Sequence, residues 1–216
     1  MLKNIFKGQH GSKSYLEQAC GIIHIGGHMA QERDQYAEHG LDVVWVEPNP
    51  ALFNVLASNI EDYSQQRAIQ ELVGPEDGEE VDFHVSDNNG ASSSILKPKF
   101  HLEMHPEVKF DQTIKMKTMT LPTIMREYGI DPAGFDALLL DTQGTELSIV
   151  RGAESILKGF RWVKLEVADF EAYQGCATRS EMVSYFKARG YKLVESERIA
   201  RRKGIGSYYD LTFERS

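Results

Sequence analysis

Gly21-Ile22-Ile23-His24-Ile25-Gly26-Gly27-His28 is followed, at Asp42-Val43-Val44-Trp45-Val46-Glu47, by a second apolar run that closes on an acid. Each run is short, β-branched and bounded by turn residues, as a buried strand is, and residues from about Ala30 to His39 between them are polar and helix-compatible. Two strands joined through a helix need a crossover, so they lie parallel in a sheet covered on both faces. The alternation continues outward. Asn49-Pro50 reads as an N-cap followed by proline at the first helical position, and Leu52, Val55, Leu56, Asn59 and Ile60 keep helical spacing. Ala68 to Val73 reads as a third strand and Gly74-Pro75-Glu76-Asp77-Gly78 as a turn. Val81, Phe83 and Val85 alternate with Asp82, His84 and Ser86, which predicts a further strand folded back on the third.

Asp87 to Lys115 is a long polar connection, of the kind that serves as a lid or binding segment. Phe100, His101, Met104 and His105 within it are candidates for a lid that excludes water. Beyond it come a helix at Thr120 to Tyr128, a buried strand at Asp136 to Asp141, and a helix at Thr145 to Lys158. A strand at Trp162 to Val167 and a helix at Arg179 to Arg189 follow. Tyr191 to Glu197 and Ser207 to Glu214 read as closing strands without an intervening helix, and therefore as an antiparallel pair. The expected fold is α/β: a Rossmann-like, mostly parallel seven-stranded sheet with helices on both faces. An extra strand after the third and a C-terminal antiparallel hairpin complete it.

The chain has 216 residues, with 24 Lys+Arg against 32 Asp+Glu for a net charge of −8. That length suits one domain spanning 1–216, with a core at about 20–214 and residues 1–19 as an N-terminal extension. The acidic balance argues against duplex nucleic acid as a partner, because phosphate neutralisation needs clustered Lys and Arg. The longest apolar stretches, Val43 to Val46 and Ala137 to Leu140, are far short of the roughly 20 residues of a membrane span. Met1 to Lys13 lacks an apolar segment of signal-peptide length. Cys20 and Cys176, the only cysteines, do not form a disulfide framework, so a cytoplasmic setting is expected.

In open α/β sheets the ligand sits beyond the carboxyl ends of the strands. Gly26 and Gly27 lie at the end of the first strand. Glu47 lies 20 residues beyond Gly27, where an acid accepts both hydroxyls of a ribose. The three-glycine pattern that a pyrophosphate needs is absent. That favours S-adenosylmethionine, which carries no phosphate, and a parallel sheet closed by an antiparallel hairpin is the architecture of methyltransferases using it.

Five blocks then carry a resemblance: Ile23-His24-Ile25-Gly26-Gly27-His28 with Gln31-Glu32; Val44-Trp45-Val46-Glu47-Pro48-Asn49-Pro50; Asn89-Gly90-Ala91-Ser92-Ser93-Ser94; Leu140-Asp141-Thr142-Gln143-Gly144-Thr145-Glu146; and Leu165-Glu166-Val167 with Tyr173. In this order and spacing they resemble the FkbM family of methyltransferases over about residues 20–214. The resemblance implies a class I fold and methyl transfer from S-adenosylmethionine, most often to a hydroxyl on a sugar or other natural product. Many members have an acid where His24 stands and a glycine where Ala30 stands. His24, Gly26, Gly27, Glu47, Asn49, Ser92 and Asp141 are the candidate cofactor contacts, and Ser93, Ser94 and Glu166 the candidate acceptor contacts.

A hydroxyl acceptor must lose its proton, and a placed base adds roughly 10²–10⁴-fold. Asp141, closing a strand before Gly144, is the first candidate base, and His28 the second. Glu146, in the first helical turn, reads as a helix-dipole partner. Asp141 and Glu166 would suit a divalent metal, but no dense cluster of ligands accompanies them and metal is not expected. His101 and His105 are spaced for zinc on a helix, but Pro106 points to a loop. Arg198, Arg201, Arg202 and Lys203 read as a solvated hairpin tip or as recognition of an acidic acceptor. Two other functions compete: a nicotinamide-dependent oxidoreductase using the same ribose-binding acid, and a non-catalytic nucleotide-binding module. The expected partner is a small-molecule or glycan acceptor, with homodimerisation left open.

Overall fold

The computed structural model describes residues 14–216, so most of the expected N-terminal extension, residues 1–13, lies outside the described residues. In chain order come β1 (Gly21–Ile25), α1 (Arg33–Glu38), β2 (Asp42–Val46), α2 (Pro50–Asn59), β3 (Gln66–Ile69), β4 (Leu72–Val73) and β5 (Glu80–Val85). Then follow α3 (His101–Met104), β6 (Gln112–Met119), α4 (Leu121–Glu127), β7 (Ala137–Leu140), α5 (Glu146–Gly152) and α6 (Glu154–Leu157). The chain closes with β8 (Trp162–Ala168), α7 (Arg179–Lys187), β9 (Tyr191–Arg202) and β10 (Gly206–Arg215). Asn49 caps α2 by accepting from the Ala51 amide at 3.0 Å, with Pro50 in the first turn as the sequence predicts.

Seven strands form one sheet in the order β3-β2-β1-β7-β8-β10-β9. β3, β2, β1, β7 and β8 run parallel, and β10 lies antiparallel between β8 and β9. One face packs Ile23, Ile25, Leu138, Leu140, Val163, Leu165, Leu211 and Phe213 against α4, α5, α6 and α7. The other packs Ile22, Val43, Trp45, Ala137 and Trp162 against Tyr36 of α1, Leu56 of α2 and Tyr15. Alternation continues across the second face. His24, Leu139 and Lys164 stand in register on β1, β7 and β8, and Glu166 pairs with Asp210 on β10. Polar side chains thus occupy that face of β8 and β10, which the helices leave to a cavity.

The fold class agrees with the sequence reading; the details differ, beginning with the helix expected at Thr145 to Lys158, which breaks at Ala153 into α5 and α6. The third strand splits after Ile69, and β4 leaves the main sheet for a three-stranded one, order β4-β6-β5. The back-folded strand β5 therefore pairs antiparallel with β6, not with the third strand. Sequence reading missed β6 although Lys115 and Lys117 alternate with Ile114, Met116 and Thr118 at the period of a strand; its start, Gln112 to Lys115, falls within the long polar connection. The lid expectation also fails. α3 folds down onto Ala168, Ala172, Tyr173 and Tyr208, burying Met104 and His101 away from the cavity.

Candidate active site

Val46, Ile25, Leu140 and Leu165 lie in one register across β2, β1, β7 and β8. The residues that follow them are Glu47, Gly26, Asp141 and Glu166, and the parallel arrangement sets all of these on one rim. They line a cavity of about 660 Å³ together with Gly27, His28, Ser93, Ser94, Gln143, Lys164 and Asp210, a size typical of small-molecule sites. Leu72, Val73 and Phe83, from β4 and β5, form an apolar wall.

The first loop is held from within the protein. Gly26 has φ +84°, and a Cβ there would stand 1.9 Å from the Asp141 carbonyl oxygen. A Cβ on Gly27 would meet Leu56 Cδ1 at 2.8 Å. Both glycines are thus demanded by strand and helix packing before any ligand approaches. His28, Ala30, Asn89 and Gln143, the non-glycine residues with positive φ among the described residues, all belong to loops around the cavity. Such conformations cost of order 1–3 kcal/mol each and persist where the surroundings over-determine them.

Glu47 shows how the rim is wired. Its Oε2 accepts from the His28 amide at 2.9 Å and its Oε1 from the Asn49 amide at 2.9 Å. It is buried, and that burial, with a smaller contribution from Asp141, pushes its carboxyl up to about 7 against the lowering effect of the two amides. A carboxylate accepts about four hydrogen bonds, so capacity remains toward the cavity.

Asp141 lines the cavity with an accessible side chain, and desolvation by the surrounding protein pushes its carboxyl up to about 6. Gln143 Nε2 donates to its Oδ1 at 2.8 Å and opposes that shift. Glu166 is held well above the usual carboxylate range, first by burial and then by the charges of Asp141, Asp210 and Glu146. Glu146 accepts from the Thr142 and Gly144 amides and the Thr142 hydroxyl, and burial pushes it up to about 7. It does not line the cavity, which fits its reading as a structural acid of the helix start. Lys164 and Asp210 pair at 3.0 Å on the polar sheet face.

Of the residues singled out in sequence, His24, Gly26, Gly27, His28, Glu47, Ser93, Ser94, Asp141 and Glu166 line the cavity. Asn49 and Ser92 do not; both are buried behind it. Ser92 Oγ meets Asn88 Nδ2 at 2.9 Å and His101 Nε2 at 3.0 Å. Ser94 Oγ donates to the Gln143 carbonyl at 2.9 Å. Both ring nitrogens of His28 are engaged, Nε2 with the Asn89 carbonyl at 2.8 Å and Nδ1 with Gln31 Nε2 at 2.7 Å. The His24 ring lies tilted against Trp45 with centroids 4.6 Å apart and meets Tyr36 Oη at 3.2 Å, and burial drives its ring down to about 3, so it is neutral. His101 has both ring nitrogens taken, by Ser92 and by Tyr208 Oη at 2.8 Å, which disposes of it as a zinc ligand. No group of three or more His, Cys, Asp or Glu side chains placed to hold a metal occurs among the described residues.

Sequence reading missed Gln143, Lys164 and Asp210. For the last two a signal existed. Trp162-Val163-Lys164-Leu165-Glu166-Val167 and Tyr209-Asp210-Leu211-Thr212-Phe213 alternate apolar and polar residues, a period that marks a strand with one polar face.

A mostly parallel sheet closed by an inserted antiparallel strand, with acids along the carboxyl rim, defines the class I methyltransferase fold. Residues 24–193 match the Methyltransferase FkbM domain, and the chain belongs to that family. Among solved structures it is similar to magnesium protoporphyrin IX methyltransferase from Synechocystis PCC 6803 with bound SAH, at 9% identity and TM-score 0.50, covering 90% of this chain and 73% of that one. It is also similar to an uncharacterized protein from Listeria monocytogenes serotype 4b, at 9% identity and TM-score 0.51, covering 95% and 69%. At such identities the likeness is one of fold. No match was found among curated protein sequences. No helix of the described residues is long and apolar enough to cross a membrane.

Proposed function

We propose that this chain is an S-adenosylmethionine-dependent O-methyltransferase acting on a hydroxyl of a sugar, glycan or other small natural product. The observation that carries the reading is the single rim on which Glu47, Gly26, Asp141 and Glu166 stand. The residues present fit the cofactor: Glu47 keeps lone pairs free for ribose hydroxyls, the Gly26–His28 backbone borders the same space, and Leu72, Val73 and Phe83 offer an apolar wall to a base. Bound there, the cofactor supplies an electrophilic methyl group.

The chain's own residues do the rest. Asp141 takes the proton of the acceptor hydroxyl, and Gln143 aims the carboxylate. Glu166, Ser93 and Ser94 orient the acceptor, with His24 in the cavity floor. Asn49 and Ser92 act from behind, the first by fixing Glu47 through its amide, the second by tying the Asn88 loop to His101. His28 serves as a clamp, because accepting a proton would first break its bond to Gln31. The same reading takes residues 1–216 as one catalytic domain, at work in the cytoplasm.

Thermal denaturation with excess S-adenosylhomocysteine or NADPH tests the cofactor. Ligand at about 100 times its dissociation constant adds roughly 2.7 kcal/mol. A shift with S-adenosylhomocysteine alone is expected; a shift with NADPH alone overturns the reading. Assignment to oxygen is tested by product analysis with glycan and natural-product acceptors, where methylation of nitrogen or carbon overturns it.

A further inference from the structure

The tip of the β9–β10 hairpin borders a second, open cavity of about 370 Å³, lined by Arg198, Arg201, Arg202 and Lys203 with Asp169, Ser207 and Tyr209. It concentrates positive charge in a chain whose net charge is −8. That charge is not spent internally. None of these four cations forms an ion pair among the described residues, and Arg202 makes a hydrogen bond to the Met104 carbonyl at 3.2 Å. Asp169, the acid in the lining, is already occupied by the Ser207 amide at 2.8 Å and the Tyr209 hydroxyl at 3.3 Å.

The tip is also built into the molecule. Gly206 lies so close to the loop after β8 that a Cβ would stand 2.3 Å from Asp169 Oδ1 and 2.5 Å from Phe170 Cδ1. The Asp169 amide donates back to the Ser207 carbonyl at 3.0 Å. A register shift between Tyr208 and Tyr209 leaves Ile199 as the extra residue of β9. Ile199 lines the large cavity while its neighbour Arg198 lines the small one.

Because β9 runs parallel to β8, its end and the start of β10 lie at the same sheet rim as Asp141 and Glu166. Along that rim the charge changes sign: carboxylates inside the large cavity, and four cations against the single Asp169 carboxylate at the tip. An acceptor with an anionic end would be repelled from the first and held by the second. We infer that the hairpin-tip cavity binds a phosphate or carboxylate group of the methyl acceptor, so that its uncharged, hydroxyl-bearing end enters the large cavity. Arginine forks suit either anion through paired N–H donors. This deepens the methyltransferase reading and rests on it.

The test uses the full chain saturated with S-adenosylhomocysteine, and calorimetric titration with pyrophosphate, glucuronate and phosphatidylglycerol vesicles at low and high salt. R201E/K203E changes exposed side chains, and its affinity for S-adenosylhomocysteine should match the parent's, which separates a failure here from a failure of the cofactor reading. Salt-sensitive pyrophosphate binding, weakened about tenfold or more in the variant, supports a phosphorylated acceptor. The same result with glucuronate supports a carboxylated one. Absence of binding to both soluble anions, equal binding by parent and variant, or binding to vesicles alone overturns the inference.

Discussion

The side-chain amide of Gln143 donates to Oδ1 of Asp141 at 2.8 Å, and the Tyr173 hydroxyl shares its one proton between Oε1 of the same amide at 3.1 Å and the Ser92 carbonyl at 3.0 Å. One glutamine therefore connects a cavity carboxylate to a buried tyrosine on a different loop. Its left-handed backbone, φ 55°, shows how firmly that position is held.

Removal of the proposed base should separate chemistry from binding. Asp141→Asn is expected to lower kcat by about 10²–10⁴-fold while S-adenosylhomocysteine still shifts the melting curve. Turnover within a few-fold of the parent would assign the proton transfer elsewhere.

Activity should rise with pH through the ionisation of the Asp141–Glu166 pair, whose Asp141 member is placed at about 6. The Gln143 bond lowers that value, so Gln143→Leu should move the acid limb of kcat to higher pH. Tyr173→Phe should move it the same way by a smaller amount, through a less well-aimed Gln143. Profiles of both variants, measured at saturating cofactor, check this; an unmoved limb removes Gln143 from the mechanism.

Glu47 links the site to stability. Its folded value, about 7, lies above the ordinary value of 4.5, so the folded protein binds the proton more tightly than the unfolded chain. The stability this contributes is complete below about 4.5 and is lost as pH rises toward 7. In the ligand-free protein the loss is on the order of 3 kcal/mol. Glu47→Gln, which cannot ionise, should flatten denaturation midpoints between pH 4.5 and 8 relative to the parent. His24 and His101, neutral in the fold, add the opposite slope to both proteins and cancel in the comparison.

Gly26→Ala should be among the most damaging single changes. The new Cβ would meet the Asp141 carbonyl at 1.9 Å from a backbone at φ +84°, so β1 and β7 must separate at the rim. Gly129→Ala, with nothing within 4 Å of its Cβ and φ +60°, carries the conformational cost without the collision. A loss of several kcal/mol in the first against about 1 kcal/mol in the second is expected in urea denaturation. Equal losses would show that φ, not packing, requires glycine at 26.

The sequence alone determined the strand–helix alternation, the closing antiparallel pair and the acids at the strand ends. All of these follow from hydrophobic period and chain order, which are local properties. Because parallel strands share a register, Glu47, Asp141 and Glu166 were destined for one rim before any side chain was placed. Tertiary structure alone decided which of the flagged residues face the cavity. Ser93 and Ser94 border it while Ser92 turns away toward His101, a choice made by backbone bends that three adjacent serines cannot encode. It also decided the partner of β5, because the alternation of β6 can mark a strand but pairing is set by which segments meet in space. The environments of Lys164 and Asp210 belong to the same category. Each is an ordinary charge in the chain, and only adjacency of β8 and β10 brings them to 3.0 Å beside Glu166.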